Sequence, residues 1–550
     1  MSYLGANVPG GGEAWEKEYG QFISQGLARL SHFQRMAILM SVGIITAIEI
    51  SNRVSINVIL PDMEGNVAAS SDTISWVLIL YNLGFLCSLA LTAWLTRVFG
   101  ARRHFVLCIL LYASGAVGCF LSPHSLTTLL IARAVMGFGG GAFLVRTAIL
   151  AGLMFPGKSR IYAVTWFYCL LFAFQISYPM LMGAIDDAFH WNAAFLLDFP
   201  FLIIGAILIW RFLPPGKLYR RSETSGLDLW GAGFLISALM LFQIAMSRGE
   251  RDLWFQSPLI DGCLAGAVVF FALFLWWDTR PENPDAVLHL RTVWRQIPLR
   301  ASFSIIMILG AIMGAGLYVV PQYLRHVQDY NAFQTGEFIS MYTAGLGAGL
   351  ILSLQVLVPR WGGRRVIGLG MLLLIATCIT FLYIWTPDTP GIVLGPVVFL
   401  QGFSLGPILL GASNMATSQA ALADVSEVDT TYFFVRQLGN TLGVTAATVI
   451  FDRRMTFHSS RLVDIANRLD PTVQSTLSQY ARLIARNGGG SSNPALGALQ
   501  LLRGQIAIQS QLLSYIDIYF CLAVLCGFGL VLLVIARLAK VESLLRFHLW

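Results

Sequence analysis

Apolar runs of about 20 residues, the length a helix needs to cross the hydrocarbon of a bilayer, recur from about residue 36 to the end of the 550-residue chain, broken by short Gly, Pro and Arg clusters. This pattern predicts fourteen spanning helices, near residues 36–60, 73–96, 104–122, 126–154, 161–183, 193–213, 229–247, 258–277, 301–321, 335–358, 365–386, 390–415, 432–452 and 515–538. No soluble domain fits between them. The longest break, 454–513, carries Leu462, Ile465, Leu469, Val473 and Leu477 before a Gly- and Ser-rich stretch from Asn487 to Asn493. It reads as a helical excursion with a hinge, long enough to offer a docking surface. Ahead of the first run, Trp15, Tyr19, Phe22, Ile23, Leu27 and Leu30 recur at helical spacing among Lys17, Glu18 and Arg29, the pattern of an interfacial amphipathic helix; a poorly ordered tail is the alternative. The polar start and late first run argue against a cleaved signal peptide, so the first span is expected to stay.

Composition agrees with a bilayer as solvent: 56% of residues are hydrophobic and 12% charged, the mean hydropathy is +0.69, and an ordinary soluble domain carries roughly 25% charged residues. The net charge of +7 does not form a nucleic-acid stripe, because the basic residues are spread over loops. Loops after even-numbered spans hold Arg97, Arg102, Arg103, Lys158, Arg160, Arg211, Lys217, Arg220, Arg221, Arg280, Arg291, Arg295, Arg300, Arg360, Arg364 and Arg365, whereas short loops on the other face hold only Arg248, Arg251 and Arg325. By the positive-inside rule both termini are cytoplasmic. All eight cysteines fall inside predicted spans with no CxxC or Cys/His cluster, which leaves no metal or disulfide framework in the pattern. No P-loop pattern exists for ATP.

An internal repeat organises the spans. Phe99-Gly100-Ala101-Arg102-Arg103 follows the second helix and Trp361-Gly362-Gly363-Arg364-Arg365 follows the tenth, so two six-helix halves stand in register with helices seven and eight outside the repeat. The expected divisions are a cytoplasmic segment 1–35, a first half 36–213, a linker 214–299 with two extra helices, and a second half 300–550 that includes the 454–513 excursion. Repeats of this kind pack around a midplane site in alternating-access transporters.

With these residues in view, the stretch from Glu49 to Asp517 resembles the fourteen-helix drug:proton antiporters of the major facilitator superfamily, the EmrB and QacA type. Ile56-Asn57-Val58-Ile59-Leu60-Pro61 is similar to the end of the family's first helix, Ala93-Trp94-Leu95 through Arg103 to its loop motif, and Arg133 with Gly137, Gly139, Gly140 and Gly141 to its fourth-helix motif. His190-Trp191 through Phe199-Pro200, Arg248 to Ser257, and Arg436-Gln437-Leu438-Gly439 resemble the EmrB branch more closely. The resemblance implies an all-α fold and efflux of amphipathic drugs or toxic small molecules, powered by the proton gradient without a cofactor. It also implies residence in a bacterial inner membrane, beside a periplasmic membrane-fusion protein and an outer-membrane channel. The chain departs from the family at Ser51-Asn52-Arg53, where Leu-Asp-x-Thr is usual, at Arg97 in place of an acid, and at Arg146 in place of a proline. The fifth-helix antiporter motif is reduced to Pro179 and Gly183, with Phe172, Gln175 and Tyr178 around them.

Ionisable groups in hydrocarbon cost several kcal/mol and usually pair, face water or serve transport. Glu49 lies near the middle of the first span with Arg53 one turn on, either a permanent ion pair or a switch, since desolvation favours a neutral carboxyl and a neighbouring guanidinium a charged one. Asp198, expected nearer the outer interface, is the second candidate for proton coupling. Asn52, Arg133, Arg146, Gln175, Tyr178, Tyr318 and Arg436 are candidates for the substrate cavity, and Arg53, Arg146 and Arg436 would suit an anionic or zwitterionic substrate. Trp166 and Phe172 could line a greasy pocket or face lipid. Gly137 to Gly141 reads as a close helix contact, and Gln175, Gln243, Gln355 and Gln401 as hydrogen bonds between helices. Two other functions compete with efflux: export or uptake of one anionic metabolite, and a receptor or scaffold without transport, which the missing first-helix Asp would allow.

Overall fold

The structure, a computed structural model, describes residues 30–67, 71–74, 76–143, 159–214, 228–249, 252–280, 297–417, 425–466, 470–486 and 494–547. Arg146, the first 29 residues and the Gly- and Ser-rich 487–493 stretch lie outside these. Fifteen principal helices build the described fold, and no strand occurs among the described residues. They are α1 (His32–Val67), α2 (Trp76–Phe99), α3 (Ala101–Phe120), α4 (Leu126–Gly140), α5 (Ser159–Ala188), α6 (Phe199–Phe212), α7 (Leu229–Arg248), α8 (Pro258–Asp278), α9 (Ile297–His326), α10 (Ala332–Leu352), α11 (Gly363–Ile384), α12 (Gly391–Thr417), α13 (Val425–Ile465), α14 (Pro471–Arg486) and α15 (Pro494–Phe547). Fourteen of them are the expected spans. Eleven segments among the described residues are long and apolar enough to cross a membrane, and α2 and α4 add shorter apolar stretches. The more polar α13 completes the set, while α14 packs outside the bundle on α15.

The repeat seen in the loops extends to the packing. In the first half α1 lies against α5 and α6, α3 against α4 and α6, and α2 against α4; in the second, α9 lies against α13 and α15, α11 against α12 and α15, and α10 against α12. Each of these contacts in one half thus has its counterpart in the other. The two loop motifs also share one backbone: Gly100 (φ 75°, ψ 154°) starts α3 and Gly362 (φ 76°, ψ 156°) starts α11, a positive φ that side chains other than glycine resist. Helices α7 and α8 form the inserted pair, tied together by Asp228, which accepts from Gly231 N–H (2.8 Å) and Trp277 Nε1 (2.6 Å). The pair leans on the bundle through α7, where Gln243 donates to Thr445 of α13 (3.2 Å).

The seam between the halves is closed unequally. Helices α5 and α10 pack extensively, whereas α2 and α13 touch far less. A methyl at Gly336 would lie 2.6 Å from the Pro179 carbonyl oxygen and one at Gly183 2.6 Å from that of Ala332, so small residues admit this contact. Where α1 finishes, Arg325 of α9 pairs with Asp62, and the Phe333 N–H donates to Asp187 (3.2 Å).

Candidate functional site

The site grows from the middle of α1, whose residues Ser51, Asn52 and Glu49 are wholly buried among apolar side chains. The expected pair is present: Arg53 Nε stands 3.4 Å from Glu49 Oε1, as residues one helical turn apart should. The same oxygen accepts from Tyr81 of α2 at 2.9 Å, while Oε2 is buried with no hydrogen-bond partner among the described residues. Arg53 also stacks over Phe85, 4.6 Å from its centroid, and donates to Gln437 Oε1 of α13 at 2.6 Å. Gln437 in turn donates to Asn82 of α2 at 3.1 Å. The carboxylate at the centre of one half is therefore linked, through a single guanidinium, to the other half.

Arg133 joins this group to a second one. Its guanidinium lies over Tyr81 at 4.4 Å and donates to Asn52 Oδ1 at 3.3 Å; Nη2 is buried without a partner among the described residues. Asn52 Nδ2 donates to Asp198 at 3.1 Å. Tyr178 and Tyr112 also donate to Asp198, the latter at 3.3 Å, so this carboxylate, wholly buried, has three donors around it. That differs from the expected place near the outer interface. Residues Trp191–Asp198 form a 3-10 helix, which advances about 2 Å per residue rather than 1.5 Å and carries Asp198 down to the level of Asn52. The 3-10 turn persists because Pro200 has no N–H for the Leu196 carbonyl, which accepts from Phe199 instead.

Arg436 stands apart from both groups. It is half-buried on α13, 5.7 Å from the Phe433 ring centroid and within electrostatic range of Arg53, Glu49 and Tyr168, and its buried Nε has no acceptor among the described residues.

The remaining expected residues divide. Gln175 is buried at the α5–α10 seam, where its carbonyl accepts from Thr343 (3.1 Å). Tyr318 lies half-buried on α9 with Tyr515 of α15 as an electrostatic neighbour, not with the Glu49 group. Trp166 is 63% exposed and faces outward, whereas Phe172 is buried. Arg102 lies over Trp210 at the end of α6 (4.6 Å), Arg364 is half-buried, and Arg103 and Arg365 are exposed. Gln243 and Gln401 bond to other helices, but Gln355 is exposed. In the α4 glycine run, a methyl at Gly137 would come 2.1 Å from the Tyr81 carbonyl oxygen, as a close helix contact requires. At Gly140 it would meet Glu49 Cγ at 2.9 Å and the Tyr81 hydroxyl at 3.0 Å, so Gly140 makes room for the carboxylate itself. Sequence reasoning missed Tyr81, Tyr112 and Gln437 as members of the site; the signal available was that a buried tyrosine hydroxyl needs a partner.

Two repeated six-helix halves with polar and charged side chains linked across their seam are the plan of a membrane transporter. The chain belongs to the Major Facilitator Superfamily, whose family model matches residues 42–448. It is 24% identical over 520 residues to the multidrug export protein EmrB of Escherichia coli (strain K12), covering 92% of this chain and 96% of that one. It is 26% identical over 327 residues to the multidrug resistance protein Stp of Mycobacterium tuberculosis (strain CDC 1551 / Oshkosh), covering 58% and 59%. Among solved structures, the peptide transporter POT in complex with sulfate shares the fold with a TM-score of 0.59 at 14% identity, over 95% of this chain and 98% of that one. An inward-facing bacterial homolog of the human lysosomal transporter Spinster gives 0.56 at 14%, over 92% and 98%.

Proposed function

We propose that this protein is a secondary active transporter that moves amphipathic drugs or toxic small molecules out across a bacterial inner membrane in exchange for protons. The observation that carries this reading is the Glu49–Arg53–Gln437 link. Arg53 and Tyr81 favour the charged form of the buried carboxylate while they stay against it, and their departure favours the protonated form. Arg53 is held by the opposite half, so a rocking motion that separates α13 from α1 changes the proton affinity of Glu49. Asp198, bonded to Asn52, Tyr178 and Tyr112, is the second coupling carboxylate. With both termini cytoplasmic, the orientation that the loop arginines favour, the closed Asp62–Arg325 end is the external one. The α13–α14–α15 projection then stands on the periplasmic side, where a membrane-fusion protein carrying export onward to an outer-membrane channel would dock.

The test is flux in proteoliposomes under an imposed pH gradient, with a fluorescent amphiphile as substrate. Glu49→Gln keeps the shape and removes the titration; it is expected to abolish gradient-driven flux while substrate binding stays measurable. Parental flux with parental pH dependence in this variant would exclude Glu49 as the carrier.

A further inference from the structure

The unspent feature of the site is its charge. At the seam, two guanidiniums, Arg53 from α1 and Arg436 from α13, act on one another and on one carboxylate, Glu49. Arg53 is fully engaged by Glu49, Gln437 and Phe85. Arg436 lies against Phe433 with Glu49 within electrostatic range, but among the described residues its buried Nε donates to nothing. A buried guanidinium N–H without an acceptor is costly, and the fork of donors to which it belongs fits a carboxylate, sulfonate or phosphate group. The position of Arg436 is imposed by the backbone, because α13 is held tightly to α9: a methyl at Gly310 would come 2.2 Å from the Arg436 carbonyl oxygen, and one at Gly439 2.2 Å from that of Met307. Beside it, Tyr168 of α5 and Phe433 are only partly buried, giving apolar surface next to the unpaired charge.

We propose that Arg436, assisted by Arg53 across the seam, is the receptor for the anionic head of an amphipathic substrate whose apolar body lies against Tyr168 and Phe433. This deepens the transport reading by naming the substrate class and rests on it for the location of the cavity. Because one arginine comes from each half, the bound anion spans the seam and leaves when the halves rearrange. An inside-negative membrane potential also favours outward movement of an anion.

The experiment is equilibrium binding to the full chain in lipid nanodiscs, without any gradient. Three probes share one dansyl-labelled alkyl chain and differ in the head: a carboxylic acid, its primary amide and a quaternary ammonium. The acid is expected to bind at least about tenfold more tightly than the other two, the effect of one charge-assisted contact. Arg436→Gln should remove that preference and leave amide binding within about twofold, whereas Arg436→Lys should keep it; Glu49→Gln, which removes the competing negative charge, should bind the acid at least as well as the parent. Parental protein that holds the ammonium or the amide as tightly as the acid overturns the proposal, and needs no variant to fold. Equal acid binding by the Gln and Lys variants overturns it too. A chain that prefers the acid yet shows no gradient-driven flux sinks only the coupled-export reading, and one that transports without preferring the acid sinks only this one.

Discussion

At the scale of single residues, the contact between Asn52 and Asp198 offers the sharpest test of the network. Removing the Asp198 carboxylate as Asp198→Ala takes the acceptor from the hydroxyls of Tyr178 and Tyr112 and leaves the Asn52 amide the Tyr178 hydroxyl in its place, a loss expected to cost about 3–5 kcal/mol of stability. Exchanging the two residues is different. In the double variant Asn52→Asp, Asp198→Asn, an acid at position 52 accepts directly from Arg133, now 3.3 Å from Asn52, and the amide at 198 accepts from Tyr178 through Oδ1 while its nitrogen, in the place of Oδ2, donates to the new acid and to the Tyr112 hydroxyl. Thermal unfolding in detergent should place the double variant within roughly 1 kcal/mol of the parent and well above either single change, because neighbouring sites couple; a double variant no better than the singles would show the network does not act as a unit. Glu49 and Arg53 were legible in the sequence because charges in an apolar run announce themselves and their spacing fixes their contact. The partners of Asp198 were not: Asn52 is 146 residues away, and Tyr112, like Tyr81 beside Glu49, reads as a greasy side chain until burial obliges its hydroxyl to find an acceptor.

Among elements, the hydrophobic pattern located every span but not the local departures from a straight α-helix. The tenth span, expected to be continuous over 335–358, widens into a π-turn at Ser353–Leu357 where Pro359 cannot donate to the preceding turn and its ring crowds it. The excursion beyond the membrane is more helical than a loop: α15 alone has 54 residues, about 80 Å of helix against a hydrocarbon core of about 30 Å. Its base is clamped, with Arg454 Nε 2.5 Å and His458 Nε2 2.7 Å from Asp517. Helix α14 packs against α15 through Ile484, while Leu483 is 53% exposed beside it and Ile465, on α13, 71%. Replacing residues 471–486 by a Gly-Ser linker should therefore leave the spans folded and weaken co-purification with a co-expressed periplasmic membrane-fusion subunit; a complex of unchanged yield would remove α14 from the docking surface.

For the whole molecule, the seam is uneven, and under the proposed alternating access the more tightly joined end is the one that has to open. The halves are joined at the Asp62 end by the α5–α10 contact, by Arg325 with Asp62 and by the Phe333 N–H with Asp187. The ion pair is weak alone: Asp62 is 39% exposed, and a solvated ion pair contributes about 1 kcal/mol or less. A weak ion pair suits the proposed cycle, in which this end opens each time, since an end sealed by several kcal/mol would hold one state only. Thr343 of α10 reports on the gate, being 2% exposed and bonded to the Gln175 carbonyl across the seam. A cysteine at this position, probed with an impermeant maleimide from the face on which α1 ends, should be nearly unreactive in the parental background, counted as the increment over the eight native cysteines. Adding Asp62→Asn or Arg325→Gln shifts the balance by at most about 1 kcal/mol and should raise its labelling rate up to roughly fivefold. The two substitutions remove the same pair, so together they should do no more than either alone. Rates that multiply in the double variant would mean that each residue restrains the gate through a different partner, and an unchanged rate in both singles would assign closure to the α5–α10 packing.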